Sequence, residues 1–223
     1  MEEKKLRSVR SFVRRESRLT KAQQRALDEL IPKWGLKIPQ IPFDFSSIYQ
    51  NDNDIVLEIG FGPGTSLVIQ ATEKPDVNFL GIEIHGPGVG SCLAGIAQNN
   101  LRNLRVMRED VMEVLPFIPE HSLSKVQIFF PDPWQKKRHH KRRLIQVDFV
   151  QLIISKLKNG GIIHLATDWE NYANHMINVI EQIESLKKLS PELYKRPKTK
   201  FEVRGEKRGH KIHDFVYQLT NAK

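Results

Sequence analysis

Four carboxylates stand out because each lies in or just beyond an apolar run of strand length: Glu58, Glu83, Asp110 and Asp132. Glu58 belongs to Ile55-Val56-Leu57-Glu58-Ile59, which runs straight into Gly60-Phe61-Gly62-Pro63-Gly64. β-branched residues followed by GxGxG read as a buried strand that turns into a helix from Thr65. Glycines in such a turn reach φ > 0 and let a ligand approach the backbone. Glycine spacing alone is a weak sign of nucleotide binding. Glu58, two residues before Gly60, narrows the chemistry, because a carboxylate there repels a phosphate and welcomes a cationic, amino-acid-like ligand. Glu83 ends the run Asn78-Phe79-Leu80-Gly81-Ile82 and lies 23 residues after Gly60. In Rossmann-like folds an acid about 20 residues on holds ribose hydroxyls. Asp110 follows Leu104-Arg105-Val106-Met107. Each acid thus falls near the C-terminal end of an expected parallel strand, where open α/β sheets bind ligands.

A second centre begins at Val126-Gln127-Ile128-Phe129-Phe130, followed by Pro131-Asp132-Pro133-Trp134. Two prolines fix φ and remove donors, so the turn is stiff. It holds the carboxylate of Asp132 and the ring of Trp134 at the mouth of the sheet. Asp132 reads either as a turn-former or as a reacting group. Trp134 reads either as a stacking platform or as packing under the turn. Six cations and two histidines follow in Lys136-Lys137-Arg138-His139-His140-Lys141-Arg142-Arg143. Beside a strand-end carboxylate, that run reads as a phosphate-contacting face. Asp168 follows another strand, and it reads as a ligand-facing acid, as the N-cap of a helix from Trp169, or as both.

The elements that position these groups alternate. Strands are expected over 55–59, 78–83, 104–108, 124–130 and 160–166, and helices over 65–73, 88–98, 142–157 and 169–187. This pattern predicts a parallel sheet with crossover helices. Two further strands, near 199–204 and 212–219, have no helix-length segment between them and are expected to form a terminal antiparallel hairpin. Seven strands with the last antiparallel is the plan of the class I S-adenosylmethionine-dependent methyltransferase (Rossmann-like) fold. Thr20 to Leu30 reads as a short helix capped by Thr20, and 31–54, with Pro32, Pro39 and Pro42, as a connecting segment. The expected division is a basic extension and linker over 1–50 and a catalytic-type domain over 51–223.

Composition limits the partners. The 223 residues carry a net charge of +9, which favours a polyanion. Nine lysines and arginines fall within residues 1–30, which read either as a solvated arm or as one that orders on an RNA backbone. The lone Cys92 excludes an internal disulfide and suits a reducing cytosol. No apolar run approaches the ~20 residues of a membrane helix, so no membrane association is expected. The eight histidines show no metal-ligand spacing, so no metal is expected.

The segments LEIGFGPG, FLGIEIHGPGVG, NLRVMREDV, FFPDPWQKKRHHKRR, HLATDWENYA and TKFEVRG occur in this order. Together they resemble the bacterial tRNA (guanine-N7-)-methyltransferase family from about residue 50 to the C-terminus. PDPW followed by the basic run is the most specific part. The resemblance implies methyl transfer from S-adenosylmethionine to N7 of a variable-loop guanosine in tRNA. It implies that Glu58, Glu83, Asp110 and Asp132 contact the cofactor, beside Gly60, Gly62 and Gly64, with Asp132 also catalytic. It further implies substrate contacts at Lys136, Asp168, Thr199, Lys200, Phe201 and Glu202, to which the charge run adds Arg138. At Gln135 the chain departs from relatives that often have His, so no catalytic role is implied there. A cytoplasmic enzyme acting as monomer or homodimer, without an obligatory protein partner, is expected.

The residues weigh against other classes. A nicotinamide dehydrogenase wants GxGxxG, but position 65 is Thr, and Glu58 and the basic runs would go unexplained. An amino-methylating enzyme uses an Asn/Asp-Pro-Pro-aromatic turn, whereas this chain has Asp-Pro-Trp. A non-catalytic RNA-binding module would have no use for a full set of buried acids, which are costly to keep.

Overall fold

A computed structural model of the chain describes residues 18–220; the expected basic arm before Arg18 lies outside them. A single seven-stranded sheet has the order β3-β2-β1-β4-β5-β7-β6. Its strands are β1 (Ile55–Ile59), β2 (Asn78–Ile82), β3 (Leu104–Met107), β4 (Leu123–Phe129), β5 (Leu157–Thr167), β6 (Leu186–Leu189) and β7 (His213–Leu219). β1, β2, β3, β4 and β5 pair in parallel, while β7 runs antiparallel to both β5 and β6. β1 and β2 are buried at every position. Central parallel strands are covered on both faces, which is why they read as continuous apolar runs and not as alternating ones.

The crossover helices divide between the faces. On one face α1 (Lys21–Trp34), α3 (Thr65–Glu73) and α4 (Gly86–Gln98) bury Leu27, Trp34, Leu67, Val89 and Leu93 with Val56 and Phe79. On the other, α2 (Phe45–Tyr49), α6 (Val147–Lys156) and α7 (Glu170–Ile180) enclose Leu57, Ile128, Phe149, Leu165 and Tyr172. A short α5 (Val111–Val114) follows β3, and α8 (Lys200–Lys207) precedes β7. The sheet reverses direction of winding between β1 and β4, which opens a crevice at the carboxyl ends of these strands.

Residues 21–49 pack into these same two cores. Thr20 caps α1 through a reciprocal capping box with Gln23, as its hydroxyl spacing predicts. The indole N–H of Trp34 donates to the carbonyl of Leu101 at 2.9 Å. The segment expected only to connect contains α2, and the Tyr49 hydroxyl donates to the Phe79 carbonyl at 2.7 Å. Packing thus shows no break at residue 50.

Two expected elements change type. Residues 199–204 form the start of α8 and not a strand. Thr199 caps that helix by accepting from the Glu202 amide at 3.1 Å, and Thr-x-x-Glu is the local sign of such a start. The partner of β7 is β6, which takes the tail of the stretch expected as helix 169–187; α7 stops at Ile180. α6 begins at Val147, because Lys137–Arg142 coils as a 3₁₀ helix. The terminal antiparallel pair exists, built from a different strand.

Candidate active site

The crevice holds a cavity of about 460 Å³ walled by Gly60, Gly62, Glu83, Asp110, Asp132, Lys200 and Phe201, with Ile82, Ile84, Val111, Phe129 and Leu144 as apolar lining. The volume and the mix of apolar wall with few polar groups suit a nucleoside-sized ligand. Four separate strand ends supply the glycines and the three acids, so the parallel sheet is what brings them together, and α8 adds Lys200 and Phe201.

Glu83 organises the wall. One carboxylate oxygen accepts from the Gly62 amide at 2.8 Å. The other accepts from the amides of Ile84 and His85 at 2.7 and 2.9 Å. Glu83 therefore ties the glycine loop to the end of β2 and keeps unused lone pairs for a ligand. Gly62 has φ of 56° and accommodates this turn. α4 closes onto it so tightly that a Cβ at Gly88 would lie 2.3 Å from the Gly62 carbonyl oxygen. Gly64 serves the fold instead, as the left-handed N-cap residue of α3, and a Cβ there would collide with the Cys92 sulfur. Gly64 does not line the cavity. Asp110 does, while it caps α5 by accepting from the Met112 amide at 3.0 Å.

Glu58 lies behind the cavity wall. Its side chain is buried and accepts from the Gln127 amide nitrogen at 2.6 Å and from Gln70 at 3.5 Å. Burial pushes its pKa up to about 7, against the lowering effect of Gln127 and the cations Lys125 and Arg196. β1, β4 and β5 place Glu58, Gln127 and His164 side by side in register, a polar row across the sheet face that α3 covers.

Asp132 stands exposed at the cavity mouth on the Pro131-Asp132-Pro133 turn. The turn is flanked by Phe130 at φ 53° and Trp134 at φ 44°. Left-handed backbone at two large L-residues is strained and persists only where the surroundings enforce it. Several contacts do so. The Phe130 amide donates to the Ala166 carbonyl at 2.8 Å. Arg143 is almost wholly buried and donates to the Pro133 carbonyl at 3.0 Å and to Asn171 of α7 at 2.6 Å, with its guanidinium over the Tyr172 ring. Arg142 lies 4.6 Å over the Trp134 ring, and His139 meets that ring edge-on. Trp134 is thus engaged by the basic run itself. The basic run beyond it stays at the surface: Lys136, Lys137, Arg138 and Lys141 are exposed. Desolvation and then the surrounding cations hold the His139 pKa below its ordinary value.

Lys136 and Arg138 lie outside the cavity, on the exposed 3₁₀ stretch and the residue that precedes it. Asp168 is not the N-cap of α7, a place taken by Trp169. Its carboxylate meets His210 Nδ1 at 3.0 Å, in a second cavity with Trp169, Asn171 and Lys211 at the same edge of the sheet. Thr199 and Glu202 do not line the main cavity: Thr199 caps α8, and Glu202 is buried against Arg196. Gln23 and Ser91, hydrogen-bonded to each other at 3.1 Å, complete the cavity wall, and sequence reasoning had no means to find them. Among the described residues no cluster of three His, Cys, Asp or Glu side chains is arranged to hold a metal, and no helix is long and apolar enough to cross a membrane.

The fold is shared with S-adenosylmethionine-dependent methyltransferases. The 16S rRNA methyltransferase KamB superposes with a TM-score of 0.56 at 12% identity, covering 82% of this chain and 96% of that one. SMU.1697c of Streptococcus mutans, described as "a putative methyltransferase" and solved with S-adenosylhomocysteine, gives 0.53 at 9% identity over 77% and 93%. At such identities the likeness concerns the fold. Sequence similarity goes further. Residues 52–215 match a family described as "Putative methyltransferase". The tRNA (guanine-N(7)-)-methyltransferases of Salmonella typhimurium and Klebsiella pneumoniae are 50% identical over 96% of this chain and 92% of their own length. That of Yersinia pestis is 51% identical over the same shares. With this identity spanning nearly the whole chain, over a sheet whose crevice is walled by the acids of the motifs, the chain belongs to the tRNA (guanine-N(7)-)-methyltransferase family.

Proposed function

We propose that the protein methylates N7 of a variable-loop guanosine in tRNA, with S-adenosylmethionine as donor. The observation that carries this reading is the convergence of Glu83, Asp110 and Asp132 on one cavity whose mouth adjoins an exposed run of cations. The cavity fits the donor: Glu83 retains acceptor capacity for ribose hydroxyls, Asp110 offers an acceptor beside the apolar Ile84 and Val111, and the glycine loop lets backbone approach. Bound S-adenosylmethionine supplies an electrophilic methyl on a sulfonium sulfur, which keeps the C–S electron pair as the N7–C bond forms.

The protein's own part is placement and charge. Guanine N7 carries a lone pair and no proton at neutral pH, so no base is needed to create the nucleophile. Alignment on a rigid turn is the main contribution. Asp132, held by two prolines and Arg143, presents an anion where positive charge grows on the purine, and it can accept from the Watson–Crick edge. Lys136 and Arg138 contact phosphates, and Lys200 and Phe201 close the cavity over the guanosine. Thr199 and Glu202 fix the first turn of α8, which carries Lys200 and Phe201, and Asp168 lines the second cavity, where it meets His210. The guanosine is presented by tRNA tertiary structure or turned outward. The enzyme works in the cytoplasm, a setting its lone buried Cys92 suits, as a monomer or homodimer.

The test is transfer from labelled S-adenosylmethionine to tRNA with nucleoside analysis, run beside tRNA carrying 7-deazaguanosine at the modified position. Label is expected as 7-methylguanosine, absent from the analogue while tRNA binding persists. Continued transfer to the analogue, with the methyl on an exocyclic amine, overturns the reading in favour of amino-group methylation.

A further inference from the structure

Arg196 belongs to no motif, yet its side chain is only 5% exposed and touches three elements around the active site. Its guanidinium donates to Glu202 of α8 at 2.5 Å and through two nitrogens to Asp214 of β7 at 2.7 and 3.1 Å. The same planar group lies 4.5 Å from the ring centre of Phe129 and 5.7 Å from that of Phe130, the last residues before Pro131-Asp132. Asp214 gives its other oxygen to His164 Nε2, and His164 sits edge-on to Phe129. The adjoining Pro197 carbonyl accepts from Ser66 of α3 at 3.4 Å.

We propose that Arg196 is a positioning residue for methyl transfer, a brace that fixes the Asp132 turn relative to α8, which carries Lys200 and Phe201. A buried arginine shared by two carboxylates has a fixed orientation, because its donors are planar and both partners would be stranded if it moved. Lying over the rings of Phe129 and Phe130, it fixes the strained residue two positions before Asp132. Paired with Glu202, it fixes the helix whose first turn lines the same cavity. Lysine preserves the charge but offers neither the fork nor the planar face. Arg196 touches neither reacting atom; it acts through the two surfaces it joins.

This inference rests on the proposed reaction, so two readouts are needed. In Arg196→Lys, kcat measured with S-adenosylmethionine and tRNA both saturating is expected to fall at least tenfold, while the variant stays folded by thermal melt. Amide hydrogen exchange in the protein without RNA is expected to quicken together at Phe130, Asp132 and Trp134 and along Lys200–Gly205. Parent-like kcat, or faster exchange confined to α8, overturns the brace. If Arg196→Lys does not fold, Asp214→Asn, which removes one charged partner and keeps shape, is judged on the same readouts, with at least a threefold loss expected. A parent protein that methylates no tRNA sinks the proposed substrate instead, and the exchange pattern then decides on the brace alone.

Discussion

The two walls that meet at Asp132 are held by different means. On the side proposed for the cofactor the fixed points are backbone groups: the amides of Gly62, Ile84 and His85 all donate to Glu83, and α4 packs on the Gly62 carbonyl. On the side proposed for RNA the fixed points are chiefly side chains: Arg143 reaches Pro133 and Asn171, and Arg142 and His139 rest on Trp134. A backbone-built wall has one shape and suits a ligand that is always the same small molecule. A charged surface on a few side-chain anchors suits a polyanion, whose phosphates can be met by cations at several positions. Only the first wall requires particular residues at particular spacing.

Asp132 belongs to both walls, and its loss is expected to be the largest effect. Asp132→Ala removes an exposed side chain from a turn that two prolines and Arg143 continue to hold, so stability changes little. Turnover with cofactor and tRNA saturating is expected to drop at least 100-fold, about 3 kcal/mol of transition-state stabilisation. Near-normal kcat at saturation leaves Asp132 as a turn residue only. Glu83→Ala comes next, because it removes ribose acceptors and also frees three amides of the wall. Hydrogen bonds to a charged acceptor are worth ~1.5–3 kcal/mol each, so affinity for S-adenosylmethionine by calorimetry is expected to fall at least tenfold. Unchanged affinity in a folded variant removes Glu83 from the cofactor site.

The same difference explains what the sequence made legible. GxGxG, Glu83 and Asp110 could be read because strand, turn and acid recur at spacings that the parallel sheet imposes. The parallel sheet with crossover helices followed from alternation for the same reason. The last third was harder. Thr199-x-x-Glu202 matches the pattern of a helix start, but Val203 two residues after Phe201 mimics strand alternation, and helix and strand periods cannot be separated over so short a stretch. The β6 strand, only four residues long, is half-exposed at the sheet edge and lacks the apolar run that marked the others. Arg196 and Gln23 carried no local sign, because their roles arise from contacts 18 and 68 residues away in sequence. Arg143 sat within a charge run in which nothing but tertiary structure separates the buried brace from its exposed neighbours.

The RNA wall can be weakened without touching the other. Lys136→Ala with Arg138→Ala is expected to reduce tRNA affinity several-fold and to lower the slope of log K against log salt by roughly one for each phosphate no longer neutralised. Cofactor affinity stays at the parent value. If affinity for tRNA and its salt slope both persist, this surface is not where the RNA lies.

Glu58 is expected to have the smallest effect on methyl transfer, because it stands behind the cofactor wall and touches Gln127 and Gln70. Glu58→Gln keeps shape and amide partners, and S-adenosylmethionine affinity is expected to fall by no more than about threefold; a loss as large as that of Glu83→Ala would make Glu58 a direct contact. Its distinctive signature lies in stability against pH. Burial raises its pKa from 4.5 to about 7, so between these values the folded protein holds a proton that the unfolded chain has released. Stability from this group is therefore full below about pH 4.5 and falls as pH rises towards 7, at most by about 1.4 kcal/mol per pH unit. Lys125 acts at higher pH: burial lowers its pKa to about 8, so the unfolded chain binds the extra proton there and stability recovers from about pH 8 to 10.5. Denaturant melts of the parent, free of cofactor, should show a decline from pH 4.5 to 7 that Glu58→Gln flattens while leaving the rise above pH 8 in place. An identical pH profile in parent and variant would mean that Glu58 is ionised at neutral pH, satisfied by its two amides, and that the wall behind the cofactor carries a full negative charge.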